Sequence, residues 1–217
     1  MNRRDEQENE YTQYWLATER KLFDKIGIKG SRVLDAGCGD AFPVFKLLDT
    51  KNTDYQGFDI SGDAITRARA RIPNGVFWVQ DAEKPFEAPS NHYDFVFSLG
   101  LLHHVSVTSE EHVINEINRV LVQGGKLLLQ EPIKTSSDFE HPIIQNKLFR
   151  LLEQNGFTII YQRETHSSFS GLIRKFYPAE DNETFWKVVL WLDDKLFARF
   201  LPCLNLDVIA IKSKRMR

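Results

Sequence analysis

The stretch Val33-Leu34-Asp35-Ala36-Gly37-Cys38-Gly39-Asp40-Ala41 constrains this chain more than any other. A short apolar run meets an acidic residue, then Gly-x-Gly, then a helical pattern carried by Phe42, Phe45, Leu47 and Leu48. Glycine lets the backbone turn sharply and lets a ligand approach without interference from a Cβ. A helix start offers unpaired N–H groups. Asp35 brings a carboxylate to the same crevice. That charge favours an ammonium group and repels a pyrophosphate. A Gly-x-Gly alone also describes an ordinary strand-to-helix turn, so the rest of the chain has to decide.

Periodicity divides that remainder into alternating helices and strands. Tyr11, Tyr14, Trp15, Leu22 and Ile26 recur at helical spacing. Strands are expected at 32–34, 55–60, 76–79, 94–99, 126–130, 157–162 and 206–211. Ser61 stands as an N-cap before Ile65, Ala68 and Ile72, and Ser109 before Val113, Ile114, Ile117, Val120 and Leu121. Gly124-Gly125 turns the chain into the fifth strand. Ile143, Ile144, Leu148, Leu151 and Leu152 share a helix that ends at Gly156. Strands separated by helices imply an α/β fold: a doubly wound, mostly parallel seven-stranded sheet with helices on both faces. Ligands of such sheets sit beyond the carboxyl ends of the strands. Those ends carry Asp59, Gln80-Asp81-Ala82, Ser98-Leu99-Gly100-Leu101-Leu102-His103-His104 and Glu131-Pro132.

Composition narrows the function classes. The chain has 28 basic and 30 acidic residues, a net charge of −2, which does not support a nucleic-acid partner held by bulk charge. Aromatic residues make up 12% of it, so disorder is not its main state. Cys38 and Cys203 have neither metal-ligand spacing nor a disulfide pattern, and no metal is expected. No apolar run is long enough to span a bilayer, and the opening MNRRDEQENE does not resemble a signal peptide. A cytoplasmic location is expected. The 217 residues suit one domain: an N-terminal helical lid over 1–28, a core over 30–166, an inserted helical cap over 167–204, and a last strand with a basic tail over 205–217.

Taken together, the acidic Gly-x-Gly turn, Asp59, Asp81 and the Leu102-His103-His104-Val105 run resemble the class I S-adenosylmethionine-dependent methyltransferases, in particular the broad small-molecule group of the methyltransferase type 11/25-like kind. The likeness covers about residues 30–132 and implies a Rossmann-like fold with S-adenosyl-L-methionine as cofactor and S-adenosyl-L-homocysteine as product. It implies that Asp35, Ala36, Gly37, Cys38 and Gly39, through Asp40, line the methionine part. It gives Asp59 the ribose, with Ile60 beside the adenine, and Asp81 the adenine amino group, with Ala82 adjacent. Ser98 and Leu99 resemble the residues beneath the sulfonium end. The group's third glycine is Ala41 here. A nicotinamide-dinucleotide oxidoreductase is the alternative for this crevice, but its last fingerprint glycine falls on Phe42.

Around that crevice stand further candidates. His104, His103 and Glu131 are candidate bases for an oxygen nucleophile. His141 and His166 are placed in loops at the same edge. Tyr14, with Tyr11 and Trp15, offers aromatic faces to a sulfonium. Arg163, Arg174, Lys175 and Tyr177 read chiefly as a solvated basic face, and otherwise as flanks for an anionic acceptor. The insertion, Phe185 to Leu201, is apolar on more than one helical face, which predicts burial on more than one side. It fits a cap with an apolar acceptor pocket, a dimer interface, or peripheral membrane contact aided by Lys212, Lys214, Arg215 and Arg217. Asp193-Asp194 argues against the membrane. The expected function is methyl transfer to O, N or C of a small molecule, by a monomer or homodimer. A non-catalytic cofactor-binding subunit is the alternative from another class. A methyltransferase acting on protein or RNA is disfavoured by the balanced charge and by Ser98-Leu99-Gly100-Leu101 after strand four. If Asp59 holds the ribose, Asp59→Ala weakens cofactor affinity by about tenfold or more, a loss of about 1.4 kcal/mol measurable by calorimetry.

Overall fold

The computed structural model describes residues 16, 19–20, 22–28, 31–133, 143–167, 173, 183–193, 196 and 203–213. Seven strands form one sheet: β1 (Arg32–Ala36), β2 (Asp54–Asp59), β3 (Val76–Val79), β4 (Tyr93–Leu99), β5 (Leu121–Pro132), β6 (Phe157–Ser167) and β7 (Cys203–Lys212). Their order is β3-β2-β1-β4-β5-β7-β6. The first five run parallel, and β7 lies antiparallel between β5 and β6. Chain order reverses between β1 and β4, so a crevice opens at the carboxyl ends of those two strands.

The central strands are apolar on both sides because both faces of the sheet are covered. Five helices are described: α1 (Phe42–Leu47), α2 (Gly62–Arg71), α3 (Glu110–Val120), α4 (Gln145–Gln154) and α5 (Glu183–Leu192). On one face, Val113, Ile114 and Ile117 of α3 and Leu148, Leu151 and Leu152 of α4 pack on Leu34, Val96, Leu127 and Leu129. On the other, Leu22, Phe23 and Ile26, Val44 of α1, and Ile65 and Ala68 of α2 pack on Val33, Phe97, Leu128 and Ile209. Each such side chain contributes about 1.5–3 kcal/mol on burial. Val44, not Phe45, is the inward residue of α1; Phe45 is exposed.

Several local expectations change in the folded chain. Ser61 does cap α2, its Oγ accepting the Ala64 N–H at 3.2 Å. Ser109 heads α3 without capping it: its hydroxyl is turned away, donating to the Glu83 carboxylate at 2.8 Å and accepting from the Ser106 hydroxyl at 2.7 Å. Gly124 and Gly125 lie inside β5, at a break in its pairing with β4, where Gly124 takes φ 79°. β6 runs on to Ser167, so His166 is in a strand and not in a loop. His141, Arg174, Lys175 and Tyr177 lie outside the described residues.

The insertion before β7 is apolar but not enclosed all round. Trp186, Val189 and Leu190 are buried in a small cluster with Ile173 and Phe185, while Val188 and Trp191 are more than half exposed. The burial expected on several sides is therefore found on one, among the described residues. Asp193 is buried just past the end of α5. Lys212 does not join a basic tail. Its Nζ donates to the carbonyls of Asn118 and Leu121, both at 2.7 Å, and to Asn91 Oδ1 at 2.9 Å. No described helix is long and apolar enough to cross a membrane.

A buried polar cluster ties the leading helical residues to the far strands. The side-chain amide of Gln130 on β5 donates to Glu19 Oε1 and to Asp207 Oδ1 on β7, and Arg163 on β6 lies 3.4 Å from Asp207 Oδ2. Glu19 is wholly buried, and its Oε2 has no hydrogen-bond partner among the described residues. Burial first, and then the neighbouring Asp207, pushes the Glu19 carboxyl up to about 8. Burial likewise pushes Asp35 up to about 7. Both groups keep in the fold a proton that the unfolded chain gives up at ordinary carboxylate pH. Their stabilisation is complete at low pH and is lost as pH rises through about 7 to 8. The urea midpoint is therefore expected to fall between pH 5 and pH 8. Glu19→Gln, which cannot ionise, should flatten part of that fall; an unchanged slope would place Glu19 in water.

Candidate active site

The turn after β1 passes close to two neighbours. The N–H groups of Gly37 and Cys38 both donate to the Phe58 carbonyl at 2.9 Å, which pulls the turn onto the end of β2. A Cβ on Gly37, whose φ is 74°, would stand 2.9 Å from Leu101 Cδ1. A Cβ on Gly57 would stand 2.9 Å from the Cβ of Cys38. One glycine answers to backbone angle and space, the other to space alone. Ala41 heads α1 at φ 58°. That left-handed conformation costs a non-glycine residue about 1–2 kcal/mol, so the absence of the third glycine is tolerated at a cost. Arg71 of α2 holds the Asp40 carboxylate at 2.6 Å and fixes the end of the turn.

Asp59 joins this turn to the next. Its Oδ2 accepts the Gly39 N–H and its Oδ1 the Ser61 N–H, each at 2.9 Å. Each carboxylate oxygen can accept more than one hydrogen bond, so both retain acceptor capacity. Asp81 Oδ1 accepts the Glu83 N–H at 2.8 Å, which orients that carboxylate in the same way. Gln80 braces the loop from below: its Oε1 accepts from Trp78 Nε1 and the Glu87 N–H, and its Nε2 donates to the Pro85 carbonyl.

These strand ends surround a cavity of about 570 Å³. Of the residues singled out from sequence, Gly37, Asp59, Ile60, Asp81, Ala82 and His104 line it. Asp35, Ala36 and Cys38 are buried beneath the turn, and Asp35 Oδ2 accepts the Tyr55 hydroxyl at 2.6 Å. Gly39 lies outside the lining, fixed by Asp59. Ser98 is fully buried and Leu99 packs into the core on the opposite face of the sheet, so neither reaches the cavity. Gly100, Leu101 and Val105 do. The cofactor-binding residues expected from sequence on this strand were Ser98 and Leu99; the turn that follows supplies the wall instead. Glu83 also lines the cavity, and no pattern in the sequence marked it. Tyr14, Tyr11 and Trp15 lie outside the described residues. A second cavity, of about 480 Å³, lies at the opposite ends of β1 and β2, lined by Phe23, Asp24, Leu47 and Asn52 among others.

Of the three candidate bases, two are not at the cavity. Glu131, expected on the rim, is fully buried. Its Oε1 accepts the N–H groups of Leu101 and Leu102 at 3.0 and 2.8 Å. Its Oε2 receives the His103 N–H at 3.3 Å and lies 2.8 Å from His103 Nδ1. Alternation along β5 turns Gln130 and Glu131 to opposite faces, and Glu131 meets the turn from inside. His103 is buried with it, whereas His104 is exposed and lines the cavity. No group of three or more His, Cys, Asp or Glu is placed to hold a metal ion among the described residues.

A family model described as a methyltransferase domain matches residues 33–125, the span that holds the turn, Asp59, Asp81 and the wall after β4. Residues 33–125 thus carry a methyltransferase domain, and the relatives and the fold support a class I S-adenosylmethionine-dependent methyltransferase. A second model, Anamorsin N-terminal, matches residues 84–176. The chain is similar to 27-O-demethylrifamycin SV methyltransferase of Amycolatopsis mediterranei, 35% identical over 46% of this chain and 38% of that protein. It is also similar to the ubiquinone/menaquinone biosynthesis C-methyltransferase UbiE of Shewanella putrefaciens, 28% identical over 70% of this chain and 62% of that protein. It thus spans well under two thirds of the first and just under two thirds of the second. Among solved structures, phosphoethanolamine N-methyltransferase 2 of Haemonchus contortus, in complex with S-adenosyl-L-methionine, shares the fold with a TM-score of 0.68 at 19% identity, over 91% of this chain and 53% of that one.

Within this methyltransferase domain the close packing of Cys38 on Gly57 is a direct test of how the turn is held. Gly57→Ala forces a Cβ into the Cys38 side chain and is expected to destabilise the fold by about 1–3 kcal/mol, read from urea unfolding. Unchanged stability would mean that the turn can shift freely.

Proposed function

We propose that the protein transfers a methyl group from S-adenosyl-L-methionine to an O, N or C atom of a small-molecule acceptor and releases S-adenosyl-L-homocysteine. The observation that carries this is the cavity at the switch point, lined by Gly37, Asp59 and Asp81. The residues fit the cofactor in size and chemistry. Gly37, packed on Leu101 with no Cβ between them, brings its backbone to the cavity wall for the methionine part, with Gly39 and the buried Asp35, Ala36 and Cys38 forming its support. The retained acceptor capacity of Asp59 suits two ribose hydroxyls. Asp81 suits an exocyclic amine, with Ile60 and Ala82 as apolar neighbours. A diphosphate would meet three carboxylates here, those of Asp59, Asp81 and Glu83, which disfavours the dinucleotide alternative.

When bound, the cofactor supplies a methyl carbon already activated by a positively charged sulfur. The chain's task is then to hold the acceptor in line and about 3 Å away, which is catalysis by orientation. Leu101 and Val105 give the cavity an apolar, water-poor wall that suits the dispersal of charge. His104 is the candidate to take a proton from an oxygen acceptor. We assign residues 1–28 as the lid, 30–166 as the core, 167–204 as a cap over the acceptor and 205–217 as the last strand and tail. The likeness to methyltransferases of rifamycin and quinone biosynthesis supports a hydrophobic acceptor. We place the protein in the cytoplasm.

Calorimetry with S-adenosylhomocysteine, followed by incubation with labelled cofactor and metabolite pools, tests the reading. Binding with label transferred to a small molecule is expected. His104→Gln should lower the turnover of an oxygen acceptor by about 10²-fold or more with cofactor affinity kept. Binding without turnover on any pool would favour a non-catalytic cofactor-binding subunit, and binding of a pyridine dinucleotide instead would overturn the account.

A further inference from the structure

One side chain gathers three consecutive N–H groups of the turn after β4, the turn that forms a wall of the cavity. We propose that Glu131 is a positioning residue: its buried carboxylate, linked to His103, clamps the turn from Leu101 to His103 and so sets the cofactor-facing wall that carries Leu101 and His104. The proposal rests on the cofactor site described above and adds a residue that never touches the ligand.

Four bonds converge on this carboxylate, three from consecutive backbone N–H groups and one from His103 Nδ1. A buried carboxylate is expensive unless its lone pairs are filled, and here the donors come almost entirely from one turn. The base of the clamp is stiff. Glu131 pairs with Leu206 on β7, the Gln130 carbonyl accepts the Gly100 N–H at 2.8 Å, and the Pro132 carbonyl accepts the Ile143 N–H at 3.2 Å. The turn is therefore fixed relative to β5 and not merely to β4. It is also pressed from the other side: Leu101 fills the space left by the absent Cβ of Gly37. If the turn shifts, Leu101 moves against the glycine loop, and His104, whose ring centroid lies 3.9 Å from that of His103, moves with it.

The chemistry distinguishes two variants. In Glu131→Gln the amide can keep accepting from Leu101 and Leu102 through its oxygen, but it presents an NH₂ to the His103 backbone N–H, donor against donor. In His103→Asn a side-chain amide can replace the Nδ1–H donor, so the clamp is retained.

The experiment measures amide hydrogen exchange over 100–105 and S-adenosylhomocysteine affinity by calorimetry in the full chain, with thermal unfolding as a control for folding. Folded Glu131→Gln is expected to exchange about tenfold faster over 101–103, with 93–99 unchanged, and to bind the ligand about tenfold more weakly. His103→Asn is expected to stay within about threefold of wild type in both. Should Glu131→Gln not fold, His103→Leu, which deletes one donor and leaves the backbone bonds, carries the test and is expected to weaken ligand binding and speed exchange in the same direction. Wild-type exchange and affinity in the folded Gln variant would overturn the proposal. Equal damage from His103→Asn would overturn the link through His103. If wild-type protein binds no S-adenosylhomocysteine, the cofactor assignment fails, and exchange over 101–103 alone still decides the clamp.

Discussion

Where β1 ends, the backbone has to pass between β2 and the turn after β4 with almost no room on either side. Gly57 on β2 admits Cys38, and Gly37 admits Leu101, each at a distance a Cβ could not share. Two N–H groups of the turn, those of Gly37 and Cys38, fall on one carbonyl, that of Phe58. Everything else at the site is arranged around this passage. Asp59 reaches back to Gly39 because the passage brings Gly39 within 2.9 Å. The cavity opens where it does because the turn folds down against β2 and leaves the carboxyl ends of β1 and β4 uncovered.

The second ordering principle is the handling of buried charge. A carboxylate taken from water has to be neutralised or supplied with donors. This chain does both. Glu131 is given four hydrogen-bond contacts and anchors a turn. Glu19, with one oxygen unpartnered among the described residues and Asp207 close by, is pushed towards the protonated form. Asp35 sits between these cases, with one phenolic donor from Tyr55 and a raised pKa of about 7. Three acids that look alike in the sequence thus have three different physical states, set by what surrounds each one.

The order of strands, the glycine turn and the acids at the ends of β2 and β3 were legible because they are local. A period of two or of 3.6 residues, or a glycine before a helix, leaves its mark within a few positions. Gly37, Asp59, Asp81 and Ala82 stand at turns and strand ends read in this way, Ile60 was added by the family resemblance, and all five line one cavity. The misplacements have the opposite character. Ser109 looked like a cap until a carboxylate from Glu83, distant in sequence, took its hydroxyl. Lys212 looked like part of a basic tail until three acceptors 91 to 121 positions earlier in the chain surrounded it.

The class of fold, the family likeness and the side of the sheet on which chemistry belongs are written in local patterns, because strand ends and turn residues obey short-range backbone rules. What each polar side chain does is set by folding. Glu131 and His103 stood beside His104 as equals in the sequence; folding buried the first two together and left the third at the cavity. A strand position gives the face on which a side chain emerges. Whether it meets water, a backbone donor or another charge there depends on residues many positions away, and that information exists only once the chain has closed.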